Sequence, residues 1–73
     1  MKLIWGEDDC TTHDPVHETL EKAYKRITGE DYNKKDAKLT IDEGDGLARH
    51  MKNGLIVFQS FPGNSAIYDP TKE

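Results

Sequence analysis

Apolar residues follow two kinds of pattern along this chain: short alternating or continuous runs, and one stripe with helical spacing. Short runs bounded by turn residues indicate β-strands. Four such runs occur, at residues 2–5, 38–42, 55–61 and 65–69. The first four residues of 55–61 are apolar on both faces, which is typical of a central strand or one covered on both sides. The pattern therefore predicts one sheet of three to four strands.

The helical stripe covers residues 15–28. Its apolar side chains recur at intervals of three and four residues, at Val16, Leu20, Ala23, Tyr24 and Ile27. Asp14 is a favourable N-cap, Pro15 suits the first helical position, and Gly29 suits the position just after a helix. We therefore predict a helix over 15–28 whose stripe packs on the sheet.

Residues 46–52 fit two structures. In the first, Asp45 caps a short helix with an inner face of Leu47, Ala48 and Met51. In the second, Asn53 and Gly54 form a hairpin turn into the following strand. A two-residue turn would place charged residues opposite apolar ones, so the short helix is the favoured interpretation.

These elements predict a single α+β domain over residues 1–73, with a mixed or antiparallel sheet and a solvated tail at 70–73. The crossover through the predicted helix would make strands 2–5 and 38–42 parallel if they are neighbours. The loops that follow these two strands are then expected at the same end of the sheet.

Acidic residues concentrate in those two loops. The chain has 14 Asp and Glu against 10 Lys and Arg, a net charge of −4. Residues 1–14 and 30–46 each carry a net charge of −3, whereas the remaining segments are mildly basic. The sequence pI of about 5.3 argues against direct binding to nucleic acid, which requires clustered Lys and Arg.

The acidic loops 7–14 and 42–45 point to a protein partner with a basic surface, such as a nucleic-acid enzyme. Tyr32, in a polar loop, is a further candidate contact because aromatic residues often anchor interfaces. The candidate partner-binding residues are Glu7, Asp8, Asp9, Tyr32, Asp42, Glu43 and Asp45. We interpret the chain as a non-enzymatic protein-binding module without a cofactor, a regulator or inhibitor of the size that phages and mobile elements encode.

Two alternatives remain open. Cys10, His13 and His17 have the spacing Cys-x2-His-x3-His beside several carboxylates, and such side chains are zinc ligands. The other alternative is a structural homodimer built through strand 55–61 or 65–69. A catalytic role for Cys10 is not expected, because the neighbouring carboxylates disfavour its thiolate. A single cysteine, and the lack of a signal peptide, membrane span or membrane-binding motif, lead us to expect a cytoplasmic protein.

Overall fold

The structure is a computed structural model that describes residues 1–9 and 18–72. Strand β1 is followed by helix α1, a short 3-10 turn, and four further strands. Their bounds are Lys2–Gly6 for β1, Leu20–Thr28 for α1, Lys34–Asp36 for the 3-10 turn, Ala37–Asp42 for β2, Gly46–Met51 for β3, Ile56–Ser60 for β4 and Ser65–Asp69 for β5.

The five strands form one antiparallel sheet in the order β1-β5-β4-β3-β2. Strands β2 to β5 follow one another as hairpins, and β1 pairs with the outer side of β5. The predicted α+β class is confirmed, with one strand more than the three to four expected. Strands β4 and β5 are interior, so a homodimer cannot form by edge-to-edge pairing through 55–61 or 65–69.

The additional strand is β3, and the predicted short helix over 46–52 is wrong. The hairpin at Asn53 and Gly54 has a three-residue loop, in which Gly54 N–H donates to Met51 C=O at 3.0 Å and Met51 N–H donates to Leu55 C=O at 2.8 Å. Gly54, at φ 94°, takes the left-handed conformation that closes such a loop. The third loop residue shifts the pairing by one, which places Arg49 opposite Val57.

Helix α1 begins later than predicted. Thr19 has an extended backbone with φ −96° and ψ 169°, and its hydroxyl accepts a hydrogen bond from Lys22 N–H, so Thr19 is the N-cap. Residues 15–17 of the predicted helix lie outside the described residues, as does Asp14. The predicted C-terminal end is confirmed, because Gly29 is left-handed at φ 77° and its N–H donates to Lys25 C=O at 2.8 Å.

The core lies between α1 and one side of the sheet, here called the inner face. Its buried apolar residues are Trp5, Leu20, Ala23, Tyr24, Met51, Val57 and Ile67. Trp5, Met51, Val57 and Ile67 are fully buried. The prediction that the helical stripe packs on the core is confirmed for its described members, with Ile27 packed at the margin.

The opposite side of the sheet, here called the outer face, carries no helix among the described residues. Leu39 and Ile41 on β2 are among the large apolar residues exposed there, at 53 % and 37 %. Strand β4 is the middle strand of the five, as predicted, and its side chains alternate between the inner face and the outer face.

Candidate functional site

Both acidic loops lie at the same end of the sheet. Four successive antiparallel pairings separate β1 from β2, so these two strands run in the same direction. The sequence analysis considered these strands as neighbours, whereas in the structure they form the two opposite edges of the sheet. The carboxylates that follow them define the acidic end: Glu7, Asp8, Asp9, Asp42, Glu43 and Asp45.

On the β1 side, the start of β5 holds the acidic loop in place. Glu7 N–H donates to Ser65 C=O at 2.8 Å, and Ser65 N–H donates to Glu7 Oε1 at 3.0 Å. The Asn64 side-chain amide donates to Asp8 Oδ2 at 2.5 Å. The chain then turns, with Asp9 N–H donating to Gly6 C=O at 3.0 Å. Glu7 and Asp8 are thus both charged groups and fixed acceptors.

On the β2 side, a tight turn presents the other three carboxylates. Glu43 N–H donates to Gly46 C=O at 2.9 Å, and Gly44 N–H donates to Asp42 Oδ1 at 2.8 Å. Gly44 has φ 90°, a conformation that a glycine adopts without strain. Asp42, Glu43 and Asp45 are all exposed, so their charges face solvent.

The β4–β5 turn lies between the two acidic loops and carries an exposed aromatic ring. Phe61 is 61 % exposed, and its backbone N–H donates to Asp45 C=O at 3.0 Å. This bond joins the β4–β5 turn to the β2–β3 turn, while Asn64 joins it to Asp8. Phe61 is not among the contact residues predicted from the sequence, because position alone does not say which side of a turn faces solvent.

The charged side chains of the described loops at the acidic end are all negative. Among the described residues, no Lys or Arg lies in the loops that form it. Arg49, on the inner face of β3, hydrogen bonds to Gln59 instead. Edge strands of a five-stranded sheet are about 19 Å apart, which is about two Debye lengths at 0.1 M salt. The loops therefore act as separate charge clusters at that salt concentration and as one combined field when salt is low.

Tyr32, the remaining predicted contact residue, packs on the protein itself. Its ring is edge-on to that of Tyr24, with centroids 5.4 Å apart, and its hydroxyl is 3.4 Å from Gln59 Oε1. Burial raises the pKa of Tyr32, although the nearby Arg49 acts in the opposite direction. The structure thus brings six of the seven predicted contact residues together and gives Tyr32 a half-buried position against the core.

The predicted metal ligands Cys10, His13 and His17 lie outside the described residues, as does the loop segment 10–14. Within residues 1–9 and 18–72, no group of three or more His, Cys, Asp or Glu side chains is arranged to hold a metal ion. The same part of the chain contains no helix long and apolar enough to cross a membrane.

Comparison with known proteins gives no relative from which a function can be transferred: no family model, curated protein or solved structure matches the chain.

Proposed function

We propose that this protein is a small, non-enzymatic binding module that docks a basic protein partner through the acidic end. In this proposal it acts in the cytoplasm as a regulator or inhibitor, and a nucleic-acid enzyme is the preferred class of partner. Such enzymes carry extended basic surfaces for phosphate backbones, which would also attract carboxylates.

The observation that carries the proposal is the convergence of two acidic loops that are more than thirty residues apart in the chain. Folding brings six carboxylates to one end of the sheet, and no described Lys or Arg lies in the same loops. Like charges held together cost some stability through repulsion. Glu7, Asp8 and Asp42 also accept hydrogen bonds that hold the loops. The placement of all six charges at one end is most readily explained by attraction of an opposite charge.

The exposed ring of Phe61 supports the same surface. It lies between the two acidic loops, is 61 % exposed, and belongs to a turn tied to both loops by hydrogen bonds. Interfaces commonly have an aromatic anchor surrounded by polar groups. The matching partner would present an apolar pocket flanked by two basic patches about 19 Å apart, the estimated spacing of the edge strands.

The test compares two variants of equal net charge. The first changes Asp8, Asp9, Asp42 and Asp45 to Asn, which keeps a side-chain acceptor at Asp8 and Asp42. The matched control changes four carboxylates elsewhere: Glu21 and Glu30 to Gln, and Asp31 and Asp36 to Asn. Each variant moves the formal net charge from −4 to zero. Only the position of the lost charge differs between them.

Wild-type protein is first used to capture partners from the native host at low salt, and captured proteins are identified by mass spectrometry. The association rate of the purified partner is then measured with each variant. We expect the Asp8/Asp9/Asp42/Asp45 variant to associate about tenfold more slowly at low salt and to lose its salt dependence. The control should associate at nearly the wild-type rate. Equal rates for both variants, or capture only of partners without a basic surface, would rule out the proposal.

A further inference from the structure

The outer face of the sheet is an apolar surface built from all five strands. Its large side chains are Leu3, Leu39, Ile41, Ile56, Phe58 and Tyr68, together with His50 between Leu39 and Ile56. None of the paired positions on this side carries Asp, Glu, Lys or Arg. Grooves of about 360 and 460 Å³ flank Phe58 on this face. In an antiparallel sheet with one solvated face, that face is normally polar, so this pattern indicates a second buried side.

The size of the face suits a protein interface. Five strands spaced about 4.8 Å apart, each about five residues long, give a flat area of about 400 Å². With side-chain relief, we estimate that a matching surface would bury about 500–600 Å² on each partner, or about 1,100 Å² in total, near the lower limit for a specific complex. A complex of this size is expected to be reversible and dependent on concentration.

We infer that the outer face is covered by the outer face of a second copy of this chain, with the strands of the two copies antiparallel. This inference does not depend on the proposed function, although the two surfaces meet where carboxylates of the acidic loops line the grooves beside Phe58. The charge distribution of the described residues selects both the occupant and its orientation.

The charges are polarised along the strands. Opposite the acidic end lies a lysine end, at the start of β1 and β2, at the β3–β4 hairpin and after β5. It contains Lys2, Lys34, Lys35, Lys38, Lys52 and Lys72. Among residues 1–9 and 18–72, three carboxylates without an ion-paired lysine accompany these six lysines, namely Glu30, Asp36 and Asp69. Asp31 pairs with Lys25 at 3.0 Å.

A two-fold axis can stack two such faces in two ways. With the axis along the strands, each strand runs parallel to its counterpart in the second copy, and the six acidic-end carboxylates of one copy lie over the six of the other. With the axis across the strands, the acidic end of each copy lies over the lysine end of its partner. Stacked sheets are about 10 Å apart, within a Debye length at 0.1 M salt, so the second arrangement is favoured electrostatically.

The side chains along the favoured axis also permit close packing. Ile41, Ala48, Phe58 and Ala66 are successive cross-strand neighbours in one row across the sheet, followed by Gly6 on β1. Phe58 is at the centre of the middle strand and is flanked by two alanines. Each residue on such an axis faces its own counterpart, so Phe58 would contact Phe58 of the second copy, and the small Ala48 and Ala66 on either side leave room for the two rings to pack offset. The axis would run along this row, which places Ile41 of each copy opposite its counterpart.

The oligomeric state of the full chain tests the inference, measured by sedimentation equilibrium over a wide concentration range. Ile41→Asp is the test variant, because Ile41 is partly exposed and its replacement leaves the core intact. Phe61→Asp is the matched control, an exposed apolar residue outside the outer face. We expect wild type and Phe61→Asp to dimerise, with at least tenfold weaker association for Ile41→Asp at unchanged circular dichroism. A wild type that stays monomeric, or an Ile41→Asp variant that dimerises normally, would overturn the inference.

Cross-linking tests the orientation in a Cys10→Ser background. Ile41→Cys should give a covalent dimer with a short bis-maleimide, whereas Phe61→Cys should not, because the two acidic ends point in opposite directions. Added salt should weaken the dimer. Efficient cross-linking through Phe61→Cys, or a dimer strengthened as salt relieves repulsion, would instead identify the parallel arrangement and overturn the proposed one.

Discussion

Replacement of Gly46 by alanine should destabilise the protein more than any other single methyl addition at a glycine. Gly46 lies where β3 meets β4, and a Cβ there would be 2.6 Å from Gln59 O, 2.6 Å from Phe58 Cζ and 2.7 Å from Ser60 Cα. Two of these atoms belong to the β4 backbone, so rotation of a side chain cannot relieve the clash. The strands would have to separate locally by about 0.8 Å to reach ordinary contact distance.

The magnitude follows from the cost of overpacking, which is typically about 1–3 kcal/mol. We expect the upper end, about 3 kcal/mol, because backbone must move. A domain of this length has a free energy of unfolding of about 4–11 kcal/mol. At about 4–8 °C per kcal/mol for a domain of 60–100 residues, Gly46→Ala should lower the melting temperature by at least 12 °C or so.

Thermal and urea melts followed by circular dichroism provide the assay, and Gly54→Ala is the control. Gly54 has φ 94° and no heavy atom within 4 Å of an added Cβ. Its replacement should cost only the strain of a left-handed residue, about 1–2 kcal/mol. A Gly46→Ala variant as stable as wild type, or more stable than Gly54→Ala, would refute the packing derived for the β3–β4 pair.

Three further predictions concern the core, its tyrosines and the loop outside the described residues. Leu20→Ala should cost about 2–4 kcal/mol in thermal or urea melts, because Leu20 is 4 % exposed and its removal leaves a cavity under α1. Burial raises the pKa of Tyr24 and Tyr32 above the ordinary 10.0, so the stability they contribute is intact below pH 10 and is lost as pH rises through their folded-state pKa values. Ultraviolet titration should show both tyrosines ionising above pH 10, and ionisation of both at pH 10 would contradict this prediction. Isothermal titration should find no tight stoichiometric zinc, and any weak affinity should vanish in a Cys10→Ser, His13→Ala double variant; tight zinc in wild type would favour the metal-binding alternative.

The sequence was sufficient to predict the fold class because two signals were strong. The stripe from Leu20 to Ile27 has helical spacing, and the continuous apolar run at 55–58 is typical of a central strand or one covered on both sides. The structure has helix α1 at the first pattern and strand β4 at the second. The acidic loops lie at the same end of the sheet because β1 and β2 run in the same direction, but they are at opposite edges of it and not neighbours as the sequence prediction assumed.

The sequence was insufficient to predict the structure of residues 46–52. A loop one residue longer shifts the β3–β4 pairing by one, and each β3 side chain then lies on the opposite face of the sheet. With a two-residue turn, Arg49 is opposite Phe58, which argues against a hairpin. With the three-residue loop closed by Gly54, Ala48 is opposite Phe58, and the paired outer-face residues of β3 and β4 are apolar except for His50 and Ser60. Local propensity does not report loop length, so the sequence favours a short amphipathic helix.

Long-range contacts explain the remaining differences. The position of Tyr32 depends on its contacts with Tyr24 and Gln59, which the chain brings together only in the folded sheet. The same holds for Phe61, whose exposure depends on the bond between its backbone N–H and Asp45 C=O. A contact residue is thus predicted by type from sequence, but its exposure follows from tertiary structure.

The central claim is that the acidic end contacts a basic partner, and carbodiimide cross-linking tests it most directly. This reagent joins carboxylates to lysine amines that are in contact, and mass spectrometry identifies the linked residues. With the purified partner, we predict cross-links to partner lysines from the two acidic loops, at Glu7, Asp8, Asp9, Asp42, Glu43 or Asp45. Cross-links confined to Glu21, Glu30, Asp31 or Asp36, on the helix and the lysine end, would contradict it.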